Sequence, residues 1–327
     1  MSKKAPGKHF RTGISLIELS QMFPDDETAE KWFEEMRWPD GVVICPFCES
    51  KRVTERGSHP NNPYRCKDCR KFFSVKTGGI MHASKIGYQK WAFGIYLMTT
   101  GIKGTSSMKL HRDLRISQKA AWHMAHRIRE VWKVDHDKFT GTVEVDETYV
   151  GGKAKNMTQE RRERSGVGKA GSGKAIVVGA KERESGKVVA KVVKGRTYNH
   201  LVGFVDKNVK MGATVYTDDN KTYRTLEVGF THEVVKHSAN EYARGDVHTQ
   251  GIESFWANFK RGYRGVYHHM SPKHLQRYVN EFSGRHNDRP SDTKVQMNNI
   301  AKNMLGKRLR YEDLIADEDN KRKRRDG

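Results

Sequence analysis

A chain of 327 residues is long enough to bury a sizeable core and to form two or three modest domains. Lysine and arginine number 61 against 39 acidic residues, leaving a net charge of +22 and a pI near 9.8. Such self-repulsion serves no enzyme of small neutral substrates, whereas it raises affinity for phosphates by releasing condensed counterions. A mean hydropathy of −0.83, no apolar run near the ~18 residues of a spanning helix, and the polar start MSKKAPGKHF argue against a membrane protein or a signal peptide, so a cytoplasmic protein is expected.

Residues 12–40 carry Ile14, Leu16, Ile17, Leu19, Met22 and Phe23, then Ala29, Trp32, Phe33 and Met36, at near-helical spacing. This predicts an N-terminal helical segment (1–40) of two short helices, broken at Pro24 and closed by Pro39-Asp40-Gly41.

All four cysteines follow, between 45 and 69, which suits a reduced compartment and one metal site. Cys45-Pro46-Phe47-Cys48 and Cys66-Lys67-Asp68-Cys69 are two C-x-x-C knuckles separated by 17 residues. Each knuckle turns two thiolates toward one tetrahedral ion, and the intervening length suits a hairpin, so 41–76 reads as a zinc ribbon holding one structural Zn²⁺ on Cys45, Cys48, Cys66 and Cys69. A closed four-cysteine site has no open coordination position and does no chemistry. Arg65, Lys67, Arg70 and Lys71 either face DNA or form a solvated rim.

Residues 80–136 are predicted as three helices with breaks at 101–104 and 114–116, a helix-turn-helix-like module. After an N-cap at Ser117, Ala121, Ala125, Ile128 and Trp132 form the buried stripe of its last helix. Lys119, His123, His126 and Arg127 lie off that stripe and are candidate DNA contacts; the plainer alternative is a solvated basic face.

From 139 to 290 the pattern changes to strands at 142–150, 175–180, 188–193, 213–217 and 232–235, with helices at 199–209, 252–262 and 272–282. This is a mixed α/β domain that opens on a hairpin meander. Residues 151–174 read as a basic, glycine-rich insertion, and 291–327 as a basic C-terminal tail ending in the run 321–325. Gly168 to Lys174 imitates a phosphate-binding loop, but Ala175 stands where a hydroxyl residue belongs and a strand follows instead of a helix, so nucleotide binding is rejected.

Three acids need explaining. In 142–148 the valines at 143 and 145 alternate with Glu144 and Asp146, which puts carboxylates on one face of a core strand. Asp218 ends an apolar strand, where open α/β sheets collect ligands. Glu253 opens a helix and shares a face with Lys260, almost two turns on. Asp146 and Asp218 are 72 positions apart, and 34 residues separate Asp218 from Glu253. An Asp, Asp, Glu set with that final spacing, and a basic residue seven beyond the Glu, resembles the DDE transposases and retroviral integrases.

The likeness extends to Val145-Asp146-Glu147-Thr148-Tyr149-Val150-Gly151-Gly152-Lys153, Thr217-Asp218-Asp219-Asn220, and His248-Thr249-Gln250-Gly251-Ile252-Glu253-Ser254-Phe255-Trp256 with Lys260-Arg261-Gly262 beyond. These, with the ribbon, resemble the insertion-sequence family numbered fifteen-ninety-five over about residues 41–287. Gln250 departs from the Asn expected there.

The resemblance implies a multidomain α/β protein whose catalytic domain is RNase H-like, a mixed five-stranded sheet with helices. It also implies catalytic Asp146, Asp218 and Glu253 holding two Mg²⁺ or Mn²⁺ ions, roughly 3.5–4 Å apart, that activate the attacking hydroxyl and steady the leaving oxygen. Lys260 would contact a phosphate near the scissile bond, with Arg261 as a further DNA contact. The implied partners are double-stranded transposon ends and target DNA, within a homo-oligomeric synaptic complex at the prokaryotic nucleoid. The adjacent His268 and His269 point in different directions and are expected to touch DNA or pack. Two alternatives remain open: an inert DNA-binding regulator, and a nuclease that cuts without joining.

Overall fold

The computed structural model describes residues 12–55, 61–133, 136–151, 160, 174–235 and 243–316. Two compact units result, one of residues 1–132 with 289–327 and the other of residues 133–288. The first unit begins with α1 (Leu16–Met22), closed by a reciprocal capping box between Ser15 and Glu18. In α2 (Asp26–Arg37), Asp25 takes the cap hydrogen bond from the Thr28 N–H. The ribbon strands β1 (Val53–Thr54), β2 (Tyr64–Cys66) and β3 (Phe72–Phe73) pair antiparallel in that order. Three helices follow, α3 (Tyr88–Thr100), α4 (Ser107–Leu114) and α5 (Gln118–Val131). Arg115 takes the left-handed conformation in the tight turn before Ser117, whose hydroxyl caps α5 through the Ala120 N–H.

In the second unit, β4 (Thr142–Val150), β5 (Ala175–Glu182) and β6 (Val188–Val193) form the antiparallel meander. After α6 (Tyr198–Asn208), β7 (Thr214–Asp218) pairs parallel with β4, and β8 (Thr231–Val235) pairs parallel with β7. The resulting five-stranded order is β6-β5-β4-β7-β8. α7 (Gln250–Gly262) runs into a π turn at Tyr263–Tyr267, and α8 (Pro272–Asp288) follows. The sheet is sandwiched between two apolar layers. Val143, Val145 and Val215 pack with Leu201 and Val205 of α6, while Val177, Val188 and Ala190 pack with Ile252, Trp256 and Phe259 of α7 and with α8. The strand alternation that separates valines from carboxylates on β4 is therefore used to place the carboxylates on the α7 side.

Residues 291–316 depart from the basic tail read in the sequence. They carry α9 (Thr293–Lys302) and α10 (Tyr311–Ile315), both within the first unit. Met297, Ile300, Ala301 and Met304 are buried in the same core as Trp91 and Ile95, an apolar stripe that the charge of the segment conceals. The Trp32 indole N–H donates to Asn298 Oδ1 at 3.1 Å, and the Ile80 N–H donates to Met304 O at 3.1 Å. The basic run 321–325 and nearly all of the insertion 151–174 lie outside the described residues.

Candidate active site and metal centre

Short local turns build the cysteine cluster. Glu49 and Arg70, each directly after the second cysteine of its knuckle, hold φ of 59° and 58°, the left-handed bend that curls each knuckle back on itself. Cys45 and Cys69 Sγ are 3.6 Å apart, as are Cys48 and Cys66 Sγ, and all four sulfurs lie within 4.8 Å of one another. Four thiolates at 2.3 Å around a tetrahedral zinc stand about 3.8 Å apart, so the set fits one structural Zn²⁺. The Cys69 N–H, 3.5 Å from Cys66 Sγ, is the main cause drawing that thiol down to about 6, which favours the thiolate a metal needs.

The acid cluster is assembled by tertiary structure. β4 and β7 pair Glu144 with Tyr216, and the same offset carried two residues further sets Asp218 level with Asp146 on the adjacent strand. The third acid depends on how closely α7 approaches the sheet. Opposite Asp146 on β5 stands Gly179, and a Cβ there would sit 2.6 Å from Cζ2 of Trp256 and 3.2 Å from Cδ1 of Ile252. The missing side chain admits the indole and lets α7 bring Glu253 to this end of the sheet. Burial pushes the Asp146 carboxyl up to about 8, with the charges of Glu147, Asp218 and Glu253 adding to it and the Glu147 N–H opposing it. Carboxylates that repel one another in this way could hold cations, since carboxylate oxygens are the ligands that Mg²⁺ and Mn²⁺ prefer. Among the described residues, only the cysteines bring three or more ligand atoms within 4.8 Å of one another. The acids stand further apart, and Glu253 Oε1 accepts from the Thr249 hydroxyl at 2.7 Å on its own helix.

The loop after Asp218 is fixed from the other face of β4, through a residue the sequence reading left without a role. Glu147 accepts from Asn220 Nδ2 at 2.6 Å and from the Tyr223 hydroxyl at 2.8 Å, while the Asn220 N–H lies 3.2 Å from Asp218 Oδ1. The buried Glu144 pairs with the half-buried Arg183 at 2.8 Å. Glu144 is signalled by its place two residues before Asp146, but no motif marks Arg183. Gln250 and Asp219 are exposed at the edges of the site. Lys260 is half-buried two turns along α7 from Glu253, and Arg261, His268 and His269 are exposed.

The face of α5 expected to meet DNA has different surroundings. His126 is fully buried, edge-on to Trp122 at 4.7 Å, so it is no groove contact. His123 Nε2 lies 3.0 Å and Arg127 Nε 3.2 Å from the Leu309 carbonyl, and Lys119 Nζ sits 4.4 Å over the Tyr311 ring. The open basic face read from the sequence is covered by the segment leading into α10, because that segment packs into the first unit instead of trailing from it.

Comparison with known proteins agrees with this architecture. Residues 138–287 match the ISXO2-like transposase domain and residues 24–72 the transposase zinc-ribbon domain. An uncharacterized protein of transposable element ISH50 from Halobacterium salinarum is 29% identical over 273 residues, 80% of this chain and 91% of that protein. An uncharacterized transposase-like protein from Haemophilus influenzae is 30% identical over 112 residues, 34% of this chain and 88% of that protein. With a zinc-ribbon cluster ahead of a mixed five-stranded sheet that gathers Asp146, Asp218 and Glu253, the chain belongs to the fifteen-ninety-five family of insertion-sequence transposases.

Proposed function

We propose that the protein binds the terminal inverted repeats of its insertion sequence, frees their 3′ ends and joins them to target DNA at Asp146, Asp218 and Glu253. The observation that carries this is the convergence of four acids on one end of the sheet, where Asp218, Glu253 and Glu147 each add to the cost of ionising the buried Asp146. That cost is relieved when the carboxylates share divalent cations. Two Mg²⁺ or Mn²⁺ ions so held would supply Lewis-acid activation of the attacking hydroxyl and stabilisation of the leaving oxygen. The chain's own residues do the positioning. Asp146 and Asp218 offer oxygens from adjacent strands, Glu253 offers a third from α7, and Glu147 holds the Asp218 loop through Asn220. Lys260, on the Glu253 face, would grip a phosphate beside the scissile bond, with the exposed Arg261 as a neighbouring backbone contact.

The first unit would bind the repeats through the ribbon, which is held by one structural zinc and presents Arg65 over Phe72 and Lys71 over Phe47 at its surface. Contacts from Lys119, His123 and Arg127 would require the segment around Leu309 and Tyr311 to lift. No helix among the described residues is long and apolar enough to cross a membrane. We place the activity on cytoplasmic, nucleoid DNA, in a homo-oligomer that synapses two ends.

The test is Mg²⁺-dependent cleavage and joining of labelled DNA from the flanks of the gene, comparing the native chain with Glu253→Gln. Cutting and joining by the native chain, with binding alone by the variant, is the expected result. Cutting without joining would make the protein a nuclease, and binding without cutting by both would make it an inert regulator.

A further inference from the structure

α7 carries Glu253 in its first turn, yet its N-cap residue Thr249 makes no capping hydrogen bond of its own. The Thr249 hydroxyl is directed at Glu253 Oε1 instead. With Thr249 as cap, Ile252 is the third helical residue, whose N–H is ordinarily taken by the cap side chain. Here Glu144 takes it across space, Oε2 accepting from the Ile252 N–H at 2.9 Å. Negative charge at that end of the helix is favoured by its dipole.

Glu144 itself is only 2% exposed, and a buried carboxylate needs a partner. Arg183 supplies it, with Nε donating to Glu144 Oε1 at 2.8 Å. The rest of the guanidinium holds the chain entering the helix, donating to Asp246 O at 2.6 Å and to His248 O at 2.8 Å. Lys181, the cross-strand partner of Glu144, donates to Gly251 O at 3.2 Å. The space is tight, since a Cβ on Gly251 would stand 2.6 Å from Glu144 Oε2 and 2.8 Å from Lys181 Nζ. Side chains of β4, of β5 and of Arg183 directly after it thus fix residues 246, 248, 251 and 252, ahead of Glu253.

We infer that Glu144 and Arg183 form a positioning pair that caps α7 from the sheet and sets where the Glu253 carboxylate stands against Asp146. Both Glu144 oxygens are engaged, so it acts through the helix and not as a ligand. The inference rests on the reading of Glu253 as a catalytic acid.

Two variants of the full chain test it: Glu144→Gln, which keeps the shape but offers one acceptor oxygen fewer, and Arg183→Lys, which keeps the charge but loses the fork. Mn²⁺ binding is followed by the loss of the free-ion electron paramagnetic resonance signal. It is set beside the Mg²⁺ concentration for half-maximal DNA cleavage and the thermal midpoint. Each variant is expected to raise both half-saturating metal concentrations by about tenfold, as removal of supporting hydrogen bonds does elsewhere. The double variant should cost less than the product of the two, because both act on one contact. Arg183→Lys, the milder change, carries the test if Glu144→Gln does not fold. A folded variant that binds Mn²⁺ and responds to Mg²⁺ as the native chain does would overturn the inference. A native chain whose Mn²⁺ binding is unaffected by Glu253→Gln, and which does not cut, would remove the functional reading and this inference with it.

Discussion

The two ligand clusters of this chain are built in opposite ways. In the ribbon, the cysteines of each knuckle are three residues apart, a left-handed residue closes each turn, and the four sulfurs already lie within 4.8 Å of one another. At the sheet, Asp146, Asp218 and Glu253 come from two strands and a helix, and each added carboxylate raises the cost of ionising Asp146. The ribbon packs Tyr64, Phe73 and Val75 into the core of the first unit, but its two knuckles are tied to each other through the metal. The acid cluster stands on a sheet packed on both faces, so its fold tolerates charges that repel one another.

Removal of zinc gives the largest expected contrast. Structural zinc in such modules contributes on the order of 10 kcal/mol to folding. Chelation, or Cys66→Ser, should therefore unfold the ribbon and expose its thiols while the five-stranded sheet persists. Thiol titration alongside circular dichroism checks this, and loss of the sheet in step with the ribbon would break the comparison.

Asp146→Asn should act in two directions at once. DNA cleavage should fall by a factor on the order of a thousand, as when other preorganised charge contacts at reacting oxygens are lost. The metal-free protein should become more stable by a few kcal/mol, as removal of a strained functional charge often does. The sign follows from the raised carboxyl. The folded state keeps a proton that the unfolded chain gives up above about pH 4, so the native protein in chelator loses stability as pH rises from 4 to about 8. The gain from the substitution should be greater at pH 9 than at pH 5, and thermal midpoints in chelator measure it.

Gly179→Ala sharpens the comparison from the packing side. The added methyl meets the Trp256 ring at 2.6 Å, so it should cost about 1–3 kcal/mol and displace α7. Weaker Mn²⁺ binding should accompany that loss, with zinc content unchanged. The smallest effects belong to single DNA contacts. Arg261→Ala should reduce the slope of log affinity against log salt by about one, whereas Lys119→Ala, which removes a cation already seated over Tyr311, should change affinity for the terminal repeat less than twofold.

Most of the elements were legible because their signals are local. Ser117 caps where the pattern places it, Pro24 separates α1 from α2, and the alternation in 142–148 put Glu144 and Asp146 on one face. The residues that misled did so where composition competes with burial. His126 reads as polar and sits at the centre of a helical core, and the basic 291–316 segment hides the apolar stripe of α9.

The sequence by itself determined the ribbon and the order of strands and helices as far as α8, and it singled out the three acids proposed as catalytic, since each depends on spacing within a few turns or on a recognisable motif. Only the tertiary structure decided what lies between distant segments: that Gly179 admits Trp256, that Glu144 with Arg183 caps α7 in place of its own Thr249, and that the carbonyl of Leu309 occupies His123 and Arg127. Those contacts join residues 77, 108, 186 and 182 positions apart, and no local period encodes a pairing that the chain makes only after its cores have formed.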